Sequence, residues 1–379
     1  MGKVIAFEES LIKTKKKIAV YGTTRCGRLT KRALEILGGG VDIFIDRIKD
    51  NELFYGVPVL HYEEIEDVNQ YLIINCTSSN FWNVSEFLFE HGVEKVYHSL
   101  LLLKLVPKDD GVLEMGDTRK LYESYIKKEE NDSIYKLSVI ITEKCSLNCK
   151  YCTEYMPYIS DVAKHGDISI CQKAILKLLE AIGKIESLTI IGGEVFTHPH
   201  WDRIVVWAIE EKRIEKVKIL TNSTIIPAYK EILKNERVQL VLDDYGNKSR
   251  KLRDLIEWAE NENIDYTVFR HDRWFNVFES DYISETESEL SNKYNLCHLK
   301  GCWNISDGYL YKCTTSYYKM KYMLSKEIGI KTDFIDLINL DISQIKELIF
   351  KISNKKYLEA CKYCVGTSSD NIVGIAEQI

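Results

Sequence analysis

The 379-residue chain lacks any apolar run long enough to span a bilayer: LLLLKLV at 100–106 is short and broken by Lys104, whereas a spanning helix needs about 20 apolar residues. It also lacks a basic block beyond KTKKK at 13–17, and its net charge is −6, so free nucleic acid is not an expected partner. Glu8 and Glu9 stand where a signal peptide would need unbroken apolar sequence. No membrane association and a cytoplasmic location are the expectations. What is present, 45% hydrophobic and 28% charged residues, is the composition of a globular protein.

The cysteines carry the chemical information. Eleven in a chain without a signal segment point to reduced thiols and metal ligands rather than disulfides. Eight fall into groups (145, 149, 152; 297, 302, 313; 361, 364), and Cys26, Cys76 and Cys171 are scattered. In CSLNCKYC, Cys145, Cys149 and Cys152 are crowded into one short loop. A zinc site usually pairs CxxC with another CxxC or with His pairs, and the nearest His, His165, lies well downstream. Iron–sulfur clusters are normally held by four thiolates, so a compact set of three implies one iron with an open coordination position.

Alternating short apolar runs and helical patterns organise the rest as α/β. KIAVYG (17–22), VDIFID (41–46), YLIINC (71–76) and KVYHS (95–99) read as strands, with a helix over 27–37, which argues for an open, mostly parallel sheet. The first turn, GTTRCG (22–27), and Asp46 about 20 residues on follow the dinucleotide pattern, but Thr24 replaces the middle glycine and weakens the case for NAD. Cys26 is expected to be packed. A Pro, Gly and acid-rich linker (107–117) and an amphipathic helix (118–132) follow. From 136 the alternation resumes, with strands at 136–142, 187–193, 216–222, 238–244 and 265–270 separated by helices. That gives too few units for a closed eight-fold barrel. The cysteine loop directly follows the first of these strands, where parallel α/β folds gather ligands. Cys171 lies on a helical apolar stripe and reads as core.

These cysteines, with aromatic Tyr151 before the third, resemble the signature CxxxCxφC of the radical S-adenosylmethionine (radical SAM) superfamily. GGE at Gly192, Gly193 and Glu194, at the end of the next strand, strengthens the resemblance, although Val195 stands where a proline is usual. The resemblance implies a partial (β/α)6 TIM-like barrel and a [4Fe-4S] cluster on Cys145, Cys149 and Cys152. The unique iron chelates S-adenosylmethionine, whose reductive cleavage gives a 5′-deoxyadenosyl radical that abstracts a substrate hydrogen. It also implies an electron donor such as flavodoxin or ferredoxin. Gly192, Gly193 and Glu194 are then expected around the cofactor's amino group, and Asn222 toward its pocket. Asp243 or Asp244 would contact ribose hydroxyls or substrate, with turn or capping roles as the alternative. His198 and His200 are assigned to a helix start, and Arg270 and His271 to the mouth of the site.

The segment FIDRIKDNELFYGVPVLHYEEI (44–65) resembles Rossmann-like modules preceding sugar-modifying transferases, which implies a nucleotide-sugar or related ligand; an empty scaffold is the alternative. Beyond an acidic connector or lid (276–296), Cys297, Cys302, Cys313, Cys361 and Cys364 resemble the SPASM and twitch modules that hold auxiliary [4Fe-4S] clusters. Five cysteines fit one cluster, with Cys297 or Cys302 as the fourth ligand, and structural zinc is the alternative for this module alone. The expected domains are therefore 1–110 (Rossmann-like), 111–133 (linker helix), 134–275 (radical SAM core) and 276–379 (connector and auxiliary module). The favoured function is a radical SAM oxidoreductase that dehydrogenates or epimerises a sugar-like or nucleotide-linked small molecule. A maturase of a ribosomal peptide and a non-catalytic metal-binding sensor are the rivals.

Overall fold

The computed structural model describes residues 2–14, 16–47, 52–77, 80–107, 119, 122–123, 126, 136–228, 231–271, 274–277, 282–297, 299–323 and 333–379. The linker expected at 107–117 lies almost wholly outside them, as does most of the helix expected after it. The chain divides into two compact units, 1–130 with 368–370, and 131–367 with 371–379.

The first unit is built on seven strands: β1 (Lys3–Ala6), β2 (Lys17–Tyr21), β3 (Ile43–Ile45), β4 (Leu53–Phe54), β5 (Val57–Leu60), β6 (Tyr71–Asn75) and β7 (Lys95–His98). Their order is β1-β7-β6-β2-β3-β5-β4. Every pairing is parallel except β4 with β5. Continuous burial along β2, β3 and β6 reflects cover on both faces. Helix α1 (Arg25–Ile36) is capped by the Thr24 hydroxyl, which accepts from Gly27 N at 3.1 Å, and α2 (Phe81–Glu90) follows β6. Asp46 accepts from the Thr23 N–H and hydroxyl, so the acid in the dinucleotide position braces the first turn. Cys26 and Cys76 are buried beside Thr30 and Ser99.

The second unit contains β8 (Lys136–Ile140), β9 (Ile185–Ile191), β10 (Ile214–Thr221), β11 (Val238–Asp244), β12 (Tyr266–Arg270), β13 (Trp274–Phe275), β14 (Trp303–Ser306), β15 (Tyr309–Tyr311), β16 (Phe334–Asp336) and β17 (Ile372–Val373). Its main sheet has the order β12-β11-β10-β9-β8-β14-β15-β16, parallel from β12 through β14. Among the described residues its edge strands are β12 and β16. The short β13 pairs instead with β17, so the parallel array gains its sixth member from β14, far along the chain. The β14–β15 hairpin turns at Asp307 and Gly308, with φ of 48° and 84°, the left-handed pair that a tight two-residue hairpin demands.

The helices are α3 (Ile168–Ile182), α4 (Trp201–Glu210), α5 (Leu252–Glu262), α6 (Glu287–Leu296), α7 (Thr314–Tyr318) and α8 (Ile342–Ser353). Asp167 caps α3 through Ser169 N at 2.8 Å, and Gly183 at φ 84° ends it. Cys171, Ala174, Ile175, Leu178 and Leu179 form its buried stripe, so Cys171 is core. Helix α6 occupies part of the acidic stretch read as a connector. Its signal was the capping box Thr286-x-x-Glu289, in which both reciprocal bonds form.

Helix α8 tests the core directly. Ile345 is fully buried and Phe350, on the opposite face, is 67% exposed. Ile345→Ala should cost about 2–5 kcal/mol and Phe350→Ala less than about 0.5 kcal/mol, read from urea unfolding.

Candidate active site and auxiliary cysteine cavity

The cysteine loop hangs from the carboxyl ends of β8 and β9. Their hydrogen-bond ladder continues past the strands, with Ile141 N donating to Ile191 O, Gly193 N to Thr142 O and Glu194 N to Lys144 O, each at 2.9 Å. This close approach explains both glycines. A Cβ on Gly192 would stand 2.5 Å from Thr142 O, and one on Gly193 would stand 2.5 Å from Lys144 O and 2.8 Å from Cys145 Cβ. The glycines thus make room for the loop's own backbone.

Glu194 is 1% exposed. Its carboxylate accepts from Asn222 N at 2.8 Å and Phe196 N at 3.1 Å, with the Thr221 hydroxyl 2.8 and 2.9 Å from its two oxygens. Burial pushes its carboxyl up to about 7 against these donors. The acid is therefore engaged by the ends of β9 and β10 rather than presented freely. Asn222 Nδ2 in turn donates to Ser146 Oγ at 3.2 Å and Cys145 Sγ at 3.5 Å, and Thr224 Oγ1 donates to Asn222 Oδ1 at 2.6 Å.

A second brace comes from residues that sequence reasoning missed. Lys150 N donates to Glu377 O at 2.7 Å, Asn148 N to Gln378 Oε1 at 2.8 Å, and Gln378 Nε2 to Cys149 Sγ at 3.2 Å. Nothing in the spacing marks Gln378. Within the loop, Lys150 Nζ lies 5.0 Å from the Tyr151 ring centroid.

Asp243 and Asp244 are both committed to protein groups. Asp243 accepts from Tyr245 OH at 2.9 Å and meets His271 Nε2 at 3.0 Å, while Asp244 accepts from Arg270 Nε and Gly246 N at 2.9 Å. His198 is buried and contacts Gly166 O at 3.2 Å, whereas His200 begins α4. Glu154, also missed, is partly buried, and its carboxyl is pushed up to about 8 by burial and by Asp243.

The donor set of the loop suits an iron–sulfur cluster. All three thiols are free of disulfides. Burial pushes Cys145 up to about 12 and raises Cys149 and Cys152, so metal-free thiols stay protonated. Leu147 N donates to Cys145 Sγ at 3.4 Å as Gln378 does to Cys149, and such donors favour a ligating thiolate. Among the described residues no three His, Cys, Asp or Glu side chains gather around one metal ion. A cubane offers a separate iron to each thiolate and needs no such convergence.

The later cysteines separate into two kinds. Cys297, Cys313, Cys361 and Cys364 line one cavity with Tyr294, Leu358 and Ala360, whereas Cys302 is exposed and outside that lining. These four come from the end of α6, the residue before α7, and the turn at Glu359–Tyr363 with the residue after it. Burial raises Cys313 and Cys361 and lifts Cys297 to about 11, with neighbouring thiols adding to each shift. Gly366 N donates to Cys364 Sγ at 3.3 Å.

Residues 139–264 match the family model described as Radical SAM superfamily. Among curated proteins, the radical SAM cyclopropyl synthase TigE of Paramaledivibacter caminithermalis is 26% identical over 50% of this chain and 44% of its own. The S-adenosylmethionine-dependent nucleotide dehydratase of Selenomonas ruminantium is 30% identical over 24% of this chain and 31% of its own. The chain thus spans less than half the length of either relative. A solved structure of Streptococcus suis SuiB bound to the precursor peptide SuiA is similar at TM-score 0.31 and 14% identity, over 63% of this chain and 50% of that one. The family model and the curated relatives support the radical SAM superfamily for the central segment. Enzymes of that superfamily use a [4Fe-4S] cluster and S-adenosylmethionine. No helix among the described residues is long and apolar enough to cross a membrane.

Gly193→Ala should displace Lys144 and Cys145 and cut the iron retained after anaerobic reconstitution by about half. Gly374→Ala, whose Cβ would meet nothing closer than 3.8 Å, should retain the wild-type content.

Proposed function

We propose that the chain is a radical SAM oxidoreductase with two iron–sulfur sites, acting on a sugar-like or nucleotide-linked small molecule by dehydrogenation or epimerisation. The observation that carries this reading is the cysteine loop suspended from β8 and β9 by the Gly192–Gly193–Glu194 backbone, within the segment that matches the superfamily model. Cys145, Cys149 and Cys152 hold the first cluster. When bound there, S-adenosylmethionine supplies on reduction a 5′-deoxyadenosyl radical that takes a hydrogen atom from the substrate.

The residues around the loop position and shield it. Glu194 fixes the ends of β9 and β10, so Asn222 keeps its amide on Cys145 and Ser146. Gln378 holds a donor on Cys149 while its carbonyl receives Asn148 N. Cys297, Cys313, Cys361 and Cys364 hold the auxiliary cluster of a twitch or SPASM-like module, and Cys302 is the spare. Their shared cavity supports this assignment. A cluster held there would supply an acceptor for the electron that dehydrogenation of the substrate radical releases, and a donor such as flavodoxin or ferredoxin would supply the electron for the first cluster. The parallel α/β architecture of the first unit supports a small-molecule substrate, with the expected division at 1–110, 111–133, 134–275 and 276–379.

Anaerobic reconstitution followed by iron analysis tests the assignment. About eight iron atoms per chain are expected for the wild type and Cys302→Ala, and about four for Cys361→Ala. Cys149→Ala should abolish 5′-deoxyadenosine release. Zinc in place of iron, or iron loss in Cys302→Ala equal to that in Cys361→Ala, would contradict the scheme.

A further inference from the structure

The wall of the auxiliary cysteine cavity holds two hydroxyls that the fold itself leaves unused. Tyr294 stands on α6 shortly before Cys297, and Thr315 stands on α7 shortly after Cys313. Both line the cavity together with Cys297, Cys313, Cys361 and Cys364. They are 6% and 3% exposed, and among the described residues nothing hydrogen-bonds to Tyr294 OH or Thr315 Oγ1. Other polar groups of the same wall are engaged: Ser316 Oγ donates to Cys313 O and Lys293 Nζ to Cys364 O, each at 2.7 Å.

Leaving a buried hydroxyl without a partner is costly, and phenylalanine or valine would fill the same space without that cost. Two such hydroxyls in one cavity wall therefore call for an acceptor that the polypeptide does not provide. The cavity is the one whose four thiols suit an iron–sulfur cluster, and hydrogen bonds to the sulfurs are among the factors that set the potential of such a cluster. Cys361, Cys313 and Cys297 lie near enough to act electrostatically on the Tyr294 phenol, so three of the four thiols share its surroundings. A phenol and an aliphatic hydroxyl each bring one O–H donor, and thiolate and sulfide sulfurs accept.

We infer that Tyr294 and Thr315 hydrogen-bond to sulfurs of the auxiliary cluster and raise its reduction potential, which fits it to accept an electron rather than serve as a structural staple. This inference rests on the auxiliary cluster proposed above and gives that site positioning residues beyond its cysteines. Uptake of one electron adds a unit of negative charge, so each O–H donor aimed at a sulfur stabilises the reduced form more than the oxidised one. In a buried site of low local dielectric such bonds are stronger than in water. No bond to cysteine forms or breaks. In dehydrogenation the electron comes from the substrate radical, which releases one proton to water as its new double bond forms.

The test uses the full chain with Cys145, Cys149 and Cys152 replaced by Ala, so that after anaerobic reconstitution the auxiliary site alone holds iron, about four atoms per chain. The chain with all its cysteines is titrated in parallel. Electron paramagnetic resonance follows reduction by titanium(III) citrate. Tyr294→Phe and Thr315→Val should each lower the equilibrium constant for reduction about ten-fold, a fall of about 59 mV for a one-electron couple. Thr315→Ser, which keeps the hydroxyl, should restore the potential, and Tyr309→Phe, on an exposed ring outside the cavity, should leave it unchanged. Tyr294→Phe preserves the ring and its packing, so its potential can be read with the fold intact. An unchanged potential in the Tyr294→Phe/Thr315→Val double variant at full iron content would overturn this inference alone. Zinc in place of iron, or no iron bound once the first three cysteines are removed, would overturn the auxiliary-cluster reading and this inference with it.

Discussion

One buried carboxylate holds the mouth of the central sheet together. Glu194 takes backbone and hydroxyl donors from Thr221 and Asn222 at the end of β10 while its own N–H is tied to Lys144. Removing a carboxylate from water is costly unless donors replace the lost hydration, and burial still holds its carboxyl above the usual carboxylate range. In return the side chain of Asn222 is fixed on Cys145 and Ser146. The geometry of the first thiol thus depends on an acid that need not touch any ligand.

β8 is the common reference for both cysteine sites. One of its neighbours, β9, ends in the glycines that hold the cysteine loop, and the other, β14, leads through the hairpin toward Cys313. The auxiliary cavity is therefore built onto the same sheet rather than appended to it. Lys321 adds a side-chain tie, bonding Glu143 at 2.8 Å and Asp307 at 2.7 Å. Glu143 is nearly inaccessible, so this pairing is screened by water far less than a surface ion pair.

Local patterns in the sequence report this architecture well, and long-range partnerships poorly. Apolar runs foretell β2, β6, β8 through β12 and the position of the cysteine loop, because a largely buried strand leaves a continuous signature. The short β1, β4 and β5 carry too few residues to show a period. The union of β14 with β8 bridges more than 150 positions of sequence, and no local signal encodes it. The choice between Cys297 and Cys302 was open because spacing cannot tell which thiol turns inward. Asp46, Asp243 and Asp244 looked available for ligands, yet each satisfies donors of its own turn or of an adjacent strand end. Gln378 reaches Cys149 only through the tertiary fold.

The central claim is that Cys145, Cys149 and Cys152 leave one iron of their cluster open to S-adenosylmethionine. Electron paramagnetic resonance of the reduced, oxygen-free protein before and after adding that compound tests it most directly. The account predicts a change in the g-values of the reduced cluster on addition, absent from Cys149→Ala. An identical spectrum with and without the compound in the wild type would contradict it.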